Sequence, residues 1–153
     1  MLIEALVYLG VFAVFISLGS VTLFKCIDNS MSLRYNAEDI SSAMRIGELW
    51  RADVRAARGG PRLEEANGER TLSLPAARGE VAYRFSGRAL FRRAGEGPWV
   101  RVLANVKSST MAAERRSNVT AWRWELELQP RTKGAVKPSR MRPLFTFLAV
   151  PVT

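Results

Sequence analysis

Residues 1–24 form one apolar run, Met1-Leu2-Ile3-Glu4-Ala5-Leu6-Val7-Tyr8-Leu9-Gly10-Val11-Phe12 and onward to Phe24, in which Glu4 is the only charge. The 20 residues from Ala5 to Phe24 carry no ionisable group except the Tyr8 phenol, and Lys25 closes the run. Coiled as a helix, this stretch is about 30 Å long, one hydrocarbon thickness of a bilayer. Residues 1–25 are therefore expected to be a membrane-spanning helix. A carboxylate just inside the start of such a span is costly in lipid, which makes Glu4 a functional candidate. The plainer alternative is a signal anchor with Glu4 at headgroup level. A secretory signal peptide competes with both. The run is long for the apolar region of such a peptide, however, and Ser17-Leu18-Gly19 only imitates a cleavage site.

The helical pattern continues past the span. No proline occurs before Pro61, and Ile40, Met44, Gly47, Trp50, Val54 and Ala57 recur at helical spacing, with Arg45, Glu48, Arg51, Asp53 and Arg55 between them as an expected solvated face of i,i+3 and i,i+4 ion pairs. This predicts an amphipathic helical segment over 26–58 whose core face carries Ile40, Met44, Trp50 and Val54. Gly59-Gly60-Pro61 is the stop signal, and Asn29, Ser30 and Asn36 are the weak points within the helix. From residue 61 the rhythm changes to alternation. Thr71–Leu74, Val81–Phe85, Leu90–Arg92, Trp99–Leu103, Val119–Leu128 and Leu144–Val150 read as strands, with turns at Ser86-Gly87 and Gly95-Glu96-Gly97-Pro98. Val119–Leu128 alternates most cleanly, with Trp122, Trp124, Leu126 and Leu128 on one side. Leu144–Val150 is almost continuously apolar and predicts a strand covered on both faces. Residues 130–143 read as a basic loop. The expected fold class is α+β, one long N-terminal helix whose amphipathic half packs on an antiparallel sheet domain over 61–153.

The remaining residue types exclude much chemistry. The 153-residue chain has no histidine and a single cysteine, Cys26. An internal disulfide is impossible, imidazole triads are ruled out, and cysteine–histidine zinc patterns are missing. Cys26 reads as a small apolar filler, with dimerisation or lipidation as alternatives. No phosphate loop, dinucleotide fingerprint or nucleophile elbow occurs. The carboxylate pairs Glu64-Glu65 and Glu125/Glu127 are expected in a polar loop and on the solvent face of a strand beside Arg123. No acidic cluster offers the oxygens a calcium site needs. The expectation is a non-enzyme with no cofactor and no metal.

Leu2-Ile3-Glu4-Ala5-Leu6-Val7 at the head of a charge-free span resembles the start of mature type IV pilins and pseudopilins. Two further stretches are similar to the larger minor pseudopilins of type II secretion, the J-type, and to the related minor pilins. They are Leu49-Trp50-Arg51-Ala52-Asp53-Val54-Arg55-Ala56-Ala57, and Val81–Phe85 through Leu90-Phe91-Arg92-Arg93 to Val102–Val106. The resemblance implies a subunit held in the inner membrane by a single pass, with its C-terminal domain on the periplasmic side. Other subunits would be met through the N-terminal helix, with Leu2, Ile3 and Glu4 at the assembly end. Such proteins carry a basic leader cut by a prepilin peptidase that methylates the new amine. Here Met1 stands where the family has Thr, so the expectation is either a leader upstream of Met1, which is favoured, or a pilin-like chain that is never processed. Glu4 would then pair with the N-terminal amine of a neighbouring subunit, because two charges buried together are tolerated where one alone is not.

The net charge of +9, all of its positive excess after the span, keeps a second class open. That alternative is a membrane-anchored basic module for DNA or another polyanion. Its surface would be Arg131, Lys133, Lys137, Arg140 and Arg142, with Arg115 and Arg116. The blander account is an arginine-rich composition spread over every segment after the span.

Overall fold

The computed structural model describes residues 2–66, 69–77, 79–116, 119–129 and 143–152. A single helix, α1, runs Leu2–Ala56, with Glu4 in its first turn and Arg55 in its last, each of the sign that complements the helix dipole there. Beyond it Ala57 N–H bonds the Val54 carbonyl at 3.3 Å, and Gly59 takes φ +110°, a conformation open to glycine that carries the chain out of helical geometry. The chain divides into two compact units, Met1–Asn36 and Ala37–Thr153. The division falls at Asn36, inside the segment 26–58 that the sequence presents as one piece. The first unit is helix alone. The second holds the rest of α1 and all the strands.

Those strands form two antiparallel sheets where one was expected. The first is a five-stranded meander, β1 (Arg62–Ala66), β2 (Glu69–Ala76), β3 (Gly79–Ser86), β4 (Ala89–Ala94) and β5 (Val100–Leu103), in that spatial order. The second is three-stranded, β6 (Val106–Arg116), β7 (Val119–Leu128) and β8 (Leu144–Ala149). Gly87 and Arg88 both take positive φ, 54° and 63°, which is the two-residue turn that suits the right-handed twist of a hairpin. That turn fixes the β3–β4 register and sets Tyr83 opposite Arg92. Asn105, at φ +56°, makes the sharp change of direction from β5 to β6.

Both sheets and α1 share one core. Trp50 of α1 and Trp124 of β7 have ring centroids 5.6 Å apart, and Phe147 of β8 continues the group at 5.2 Å from Trp124. Leu72, Leu74, Tyr83 and Leu90 close the core from the first sheet.

The helix face that enters this core differs from the expected one. Trp50, Val54 and Ala57 are buried, and so is Gly47. Ile40 and Met44, assigned to the core face from spacing, are 38% and 46% exposed, while Asp39, Ala43 and Ile46 take the inner positions. The reason is a notch. A Cβ on Gly47 would lie 2.0 Å from the Phe147 ring, so the ring occupies the space that glycine leaves. Close approach over Ala43, Ile46 and Gly47 turns Ile40 and Met44, about 100° round the helix from Asp39 and Ala43, onto the flank. Likewise β8 is an edge strand with one open face, Leu144 and Leu148 being exposed, so the expected cover on both sides is absent.

Candidate functional site: the exposed apolar helix and the helix–sheet clamp

Residues Ile3–Ile27 have mean hydropathy 2.2 and form a helix long and apolar enough to cross a membrane, with none of that surface buried against the chain itself. Ile3, Leu6, Tyr8, Leu9, Phe12 and Phe15 all stand exposed. Three hydroxyls in this stretch make no demand on an apolar surrounding. Ser17 and Ser20 hydroxyls donate to the carbonyls of Ala13 and Ile16 at 2.8 Å, and Thr22 to that of Leu18 at 2.6 Å. Such back-bonding satisfies each hydroxyl within its own helix, as lipid requires. A Cβ added at Gly10 or Gly19 meets nothing of this chain, so each leaves a small surface for an outside helix. Glu4 and Ile3 are exposed in the first turn, and Leu2 opens the helix with its side chain outside the described residues.

The second feature joins the two stretches that carry the pseudopilin resemblance. Asp53, on the last turns of α1, receives two hydrogen bonds from Arg92 of β4, Nε to Oδ2 at 2.9 Å and Nη2 to Oδ1 at 3.1 Å. The Tyr83 hydroxyl also donates to Asp53 Oδ2, and Arg92 Nε approaches the Tyr83 oxygen at 3.2 Å. The Asp53 and Arg92 side chains are only 14% and 23% exposed, so this is a half-buried, two-pronged ion pair bridging helix and sheet. Burial, then the hydrogen bond to the Asp53 carboxylate, pushes the Tyr83 phenol far above its ordinary range. The bond to Asp53 likewise raises Arg92, against the opposing effect of burial. A second link lies further up the helix, where Asn105 Nδ2 donates to Asp39 Oδ2 at 3.3 Å. The fourteen residue steps from Asp39 to Asp53 span about 21 Å of helix. The helical part of the second unit is thus fixed to its sheets at two polar points with Trp50 between them.

The spacing of residues set Asp53 on a solvated helix face, which its burial against Arg92 and Tyr83 corrects, and it gave no sign of that pairing or of the Asp39–Asn105 link. A signal was present in the hairpin instead. The turn lies at Gly87-Arg88, one residue beyond the Ser86-Gly87 expected, and sets Tyr83 opposite Arg92, so a tyrosine and an arginine stand together on the core side of a hairpin and call for an acid.

The basic candidates fare differently. Arg131, Lys133, Lys137, Arg140 and Arg142 lie outside the described residues, as does the Arg116 side chain, and Arg115 is exposed. Much of the remaining basic charge is engaged locally. Arg84 and Arg93 flank the Trp99 ring at 4.6 and 5.0 Å, and they also pair with Glu69 at 3.3 Å and Glu80 at 3.8 Å. Lys107 holds Glu127 at 2.8 Å, and Arg123 holds Glu125 at 3.4 Å, so that carboxylate pair is a solvated, charge-balanced strand face. Among the described residues no group of three potential metal ligands gathers. A pocket of about 310 Å³ between β1–β3 and β6 is lined by Leu63, Leu72, Tyr83, Phe85 and Met111, with the Glu65–Arg70 pair and Ser109 as its polar groups. It brings together no nucleophile–base pair.

Comparison of the chain with protein-family models, with curated proteins and with solved structures returns no match.

Proposed function

We propose that this chain is a non-catalytic pilin-like subunit, a minor pilin or minor pseudopilin. In this reading the N-terminal helix anchors it in the inner membrane, and the sheet unit stands on the periplasmic side. The same helix carries it into a type IV pilus or a type II secretion pseudopilus among related subunits. The observation that supports this most is the first unit itself, a helix with Ser17, Ser20 and Thr22 back-bonded, its apolar side chains exposed, and one carboxylate in the first turn. A helix of that kind suits lipid first and a bundle of like helices afterwards, and Glu4 supplies a register mark in a segment that otherwise has none. The α+β body agrees with the order of elements in such subunits, and the Asp53–Arg92 clamp gives the body a fixed attachment to its own part of α1.

No observation among the described residues favours the polyanion reading, because seven of the basic side chains there are held by carboxylates of the same chain.

The test is Glu4→Gln in cells that carry the full assembly system. Membrane insertion should be unchanged. Recovery with neighbouring subunits should fall about a hundredfold, since breaking one side of a buried charge pair costs on the order of 3 kcal/mol. Undiminished co-purification of the Gln variant would contradict the role given to Glu4.

A further inference from the structure

The second unit carries an open strand edge beside an apolar cleft. The pairing of β7 with β8 ends at Trp122–Ala149. Carried two residues on, the same register would set Thr120 against Pro151, which has no N–H to give, and the ladder stops there. The chain instead turns away, and Val152 N–H bonds the Arg55 carbonyl at 3.4 Å. Val119 to Ala121 therefore keep their pairing with β6 but have no ladder on the other side among the described residues. Main-chain groups of a strand point alternately to its two sides, so at least one of these three residues directs its N–H and C=O to the vacant edge.

That edge opens onto a cleft of about 990 Å³. Ala113, Val119 and Trp122 line its β6–β7 side, and Val150, Pro151 and Val152 line another. Gly59, Gly60 and Pro61 complete it with almost no side-chain bulk. Among the described residues the lining is apolar except for Thr120 and Arg58, and none of them is a carboxylate. Arg115, the register partner of Thr120 and on the same face of β6 as Ala113, adds a second exposed cation next along that face.

We infer that this cleft receives an extended segment of a partner protein, added as a strand to the free edge of β7, with apolar residues at alternate positions and a carboxylate meeting Arg58. Each feature selects part of that description. The open main chain asks for an extended backbone, because only a strand offers donors and acceptors at the matching repeat. The apolar lining takes every second side chain. The cationic rim, in a chain of net charge +9, favours an acidic occupant over a second copy of this one. The inference does not rest on the assembly reading, since a chain that never enters a fibre has the same cleft.

The test uses the full chain in lipid nanodiscs, titrated with the fluorescent peptide acetyl-Val-Thr-Val-Thr-Val-Asp carrying a free C-terminal carboxylate. Saturable binding is expected. Methylating alternate backbone amides of the peptide should weaken it about tenfold in one of the two possible registers, since one or two ladder bonds are then lost and the methyl groups crowd the edge. Arg58→Glu should weaken the acidic peptide and favour a version that ends in lysine amide, a reversal that a misfolded variant would not give. Absence of saturable binding would overturn the inference, and so would equal binding of both methylated forms. A concentration-dependent dimer that the peptide competes away would overturn the acidic partner in favour of a second copy.

Discussion

Trp50→Ala is expected to destabilise the second unit by about 3–5 kcal/mol, the cost of removing a fully buried aromatic ring and leaving its cavity. Trp50 has no exposed surface, and it contacts Trp124, which in turn meets Phe147, so its loss opens the junction of α1 with the second sheet. Its indole N–H has no acceptor among the described residues. A buried unsatisfied donor is itself unfavourable by about 1–3 kcal/mol, so Trp50→Phe should recover most of the loss by keeping an aromatic ring and deleting the orphan donor. Denaturant unfolding of the full chain in mild detergent, followed by tryptophan fluorescence and near-ultraviolet circular dichroism, distinguishes the two variants. Equal losses for Ala and Phe would mean that the indole N–H has a partner and that ring burial is not what matters.

The second large effect belongs to the clamp. Asp53→Ala removes a two-pronged ion pair and leaves Arg92 and the Tyr83 hydroxyl without their shared acceptor. Complete burial would make this loss about 3–5 kcal/mol. The 14% and 23% exposure of the two side chains admits some solvent screening, and about 2–3 kcal/mol is expected. The clamp also fixes an alkaline limit. Tyr83 has its folded value raised above the ordinary value of 10.0, so its contribution is complete below pH 10. Above that pH the unfolded chain releases the phenolic proton while the folded chain holds it, and stability falls as pH rises. Tyr83→Phe abolishes that difference. Between pH 10 and 12 its unfolding free energy should decline less steeply than the wild type's, by up to about 1.4 kcal/mol per pH unit, one proton's worth. Parallel curves for the two proteins would show that Tyr83 ionises equally in both states.

How far these features are legible in the sequence depends on whether a local signal decides them. The Leu2–Ala56 helix is legible from end to end, because no proline interrupts it and Gly59-Gly60-Pro61 stops it. The β7 strand Val119–Leu128 is legible to the residue, since strict alternation of Trp122, Trp124, Leu126 and Leu128 leaves a single register. Two strands were missed. Arg62–Ala66 pairs at a sheet edge and carries Glu64 and Glu65, so its alternation is hidden by charge on a solvated face. Val106–Arg116 is rich in Ser and Ala, which pack without announcing a period. The rotation of the helix face was not legible either. Ile40 and Met44 fit an ideal stripe as well as Asp39, Ala43 and Ile46 do, and the choice is made by Phe147 entering the Gly47 notch from about 100 residues away in sequence. The partners of Asp53 and Asp39 were hidden for the same reason, being tertiary contacts.

A chain that enters a fibre as a processed pilin-class subunit, as proposed, has an N-terminus made by a prepilin peptidase, and that terminus can be read on protein isolated from the native membrane. Intact mass and N-terminal sequencing should find an N-methylated residue a short way ahead of Leu2-Ile3-Glu4, the mark of a prepilin peptidase acting at a leader. An unmodified terminus at Met1, or one produced by signal-peptide cleavage after the apolar run, would contradict the proposal.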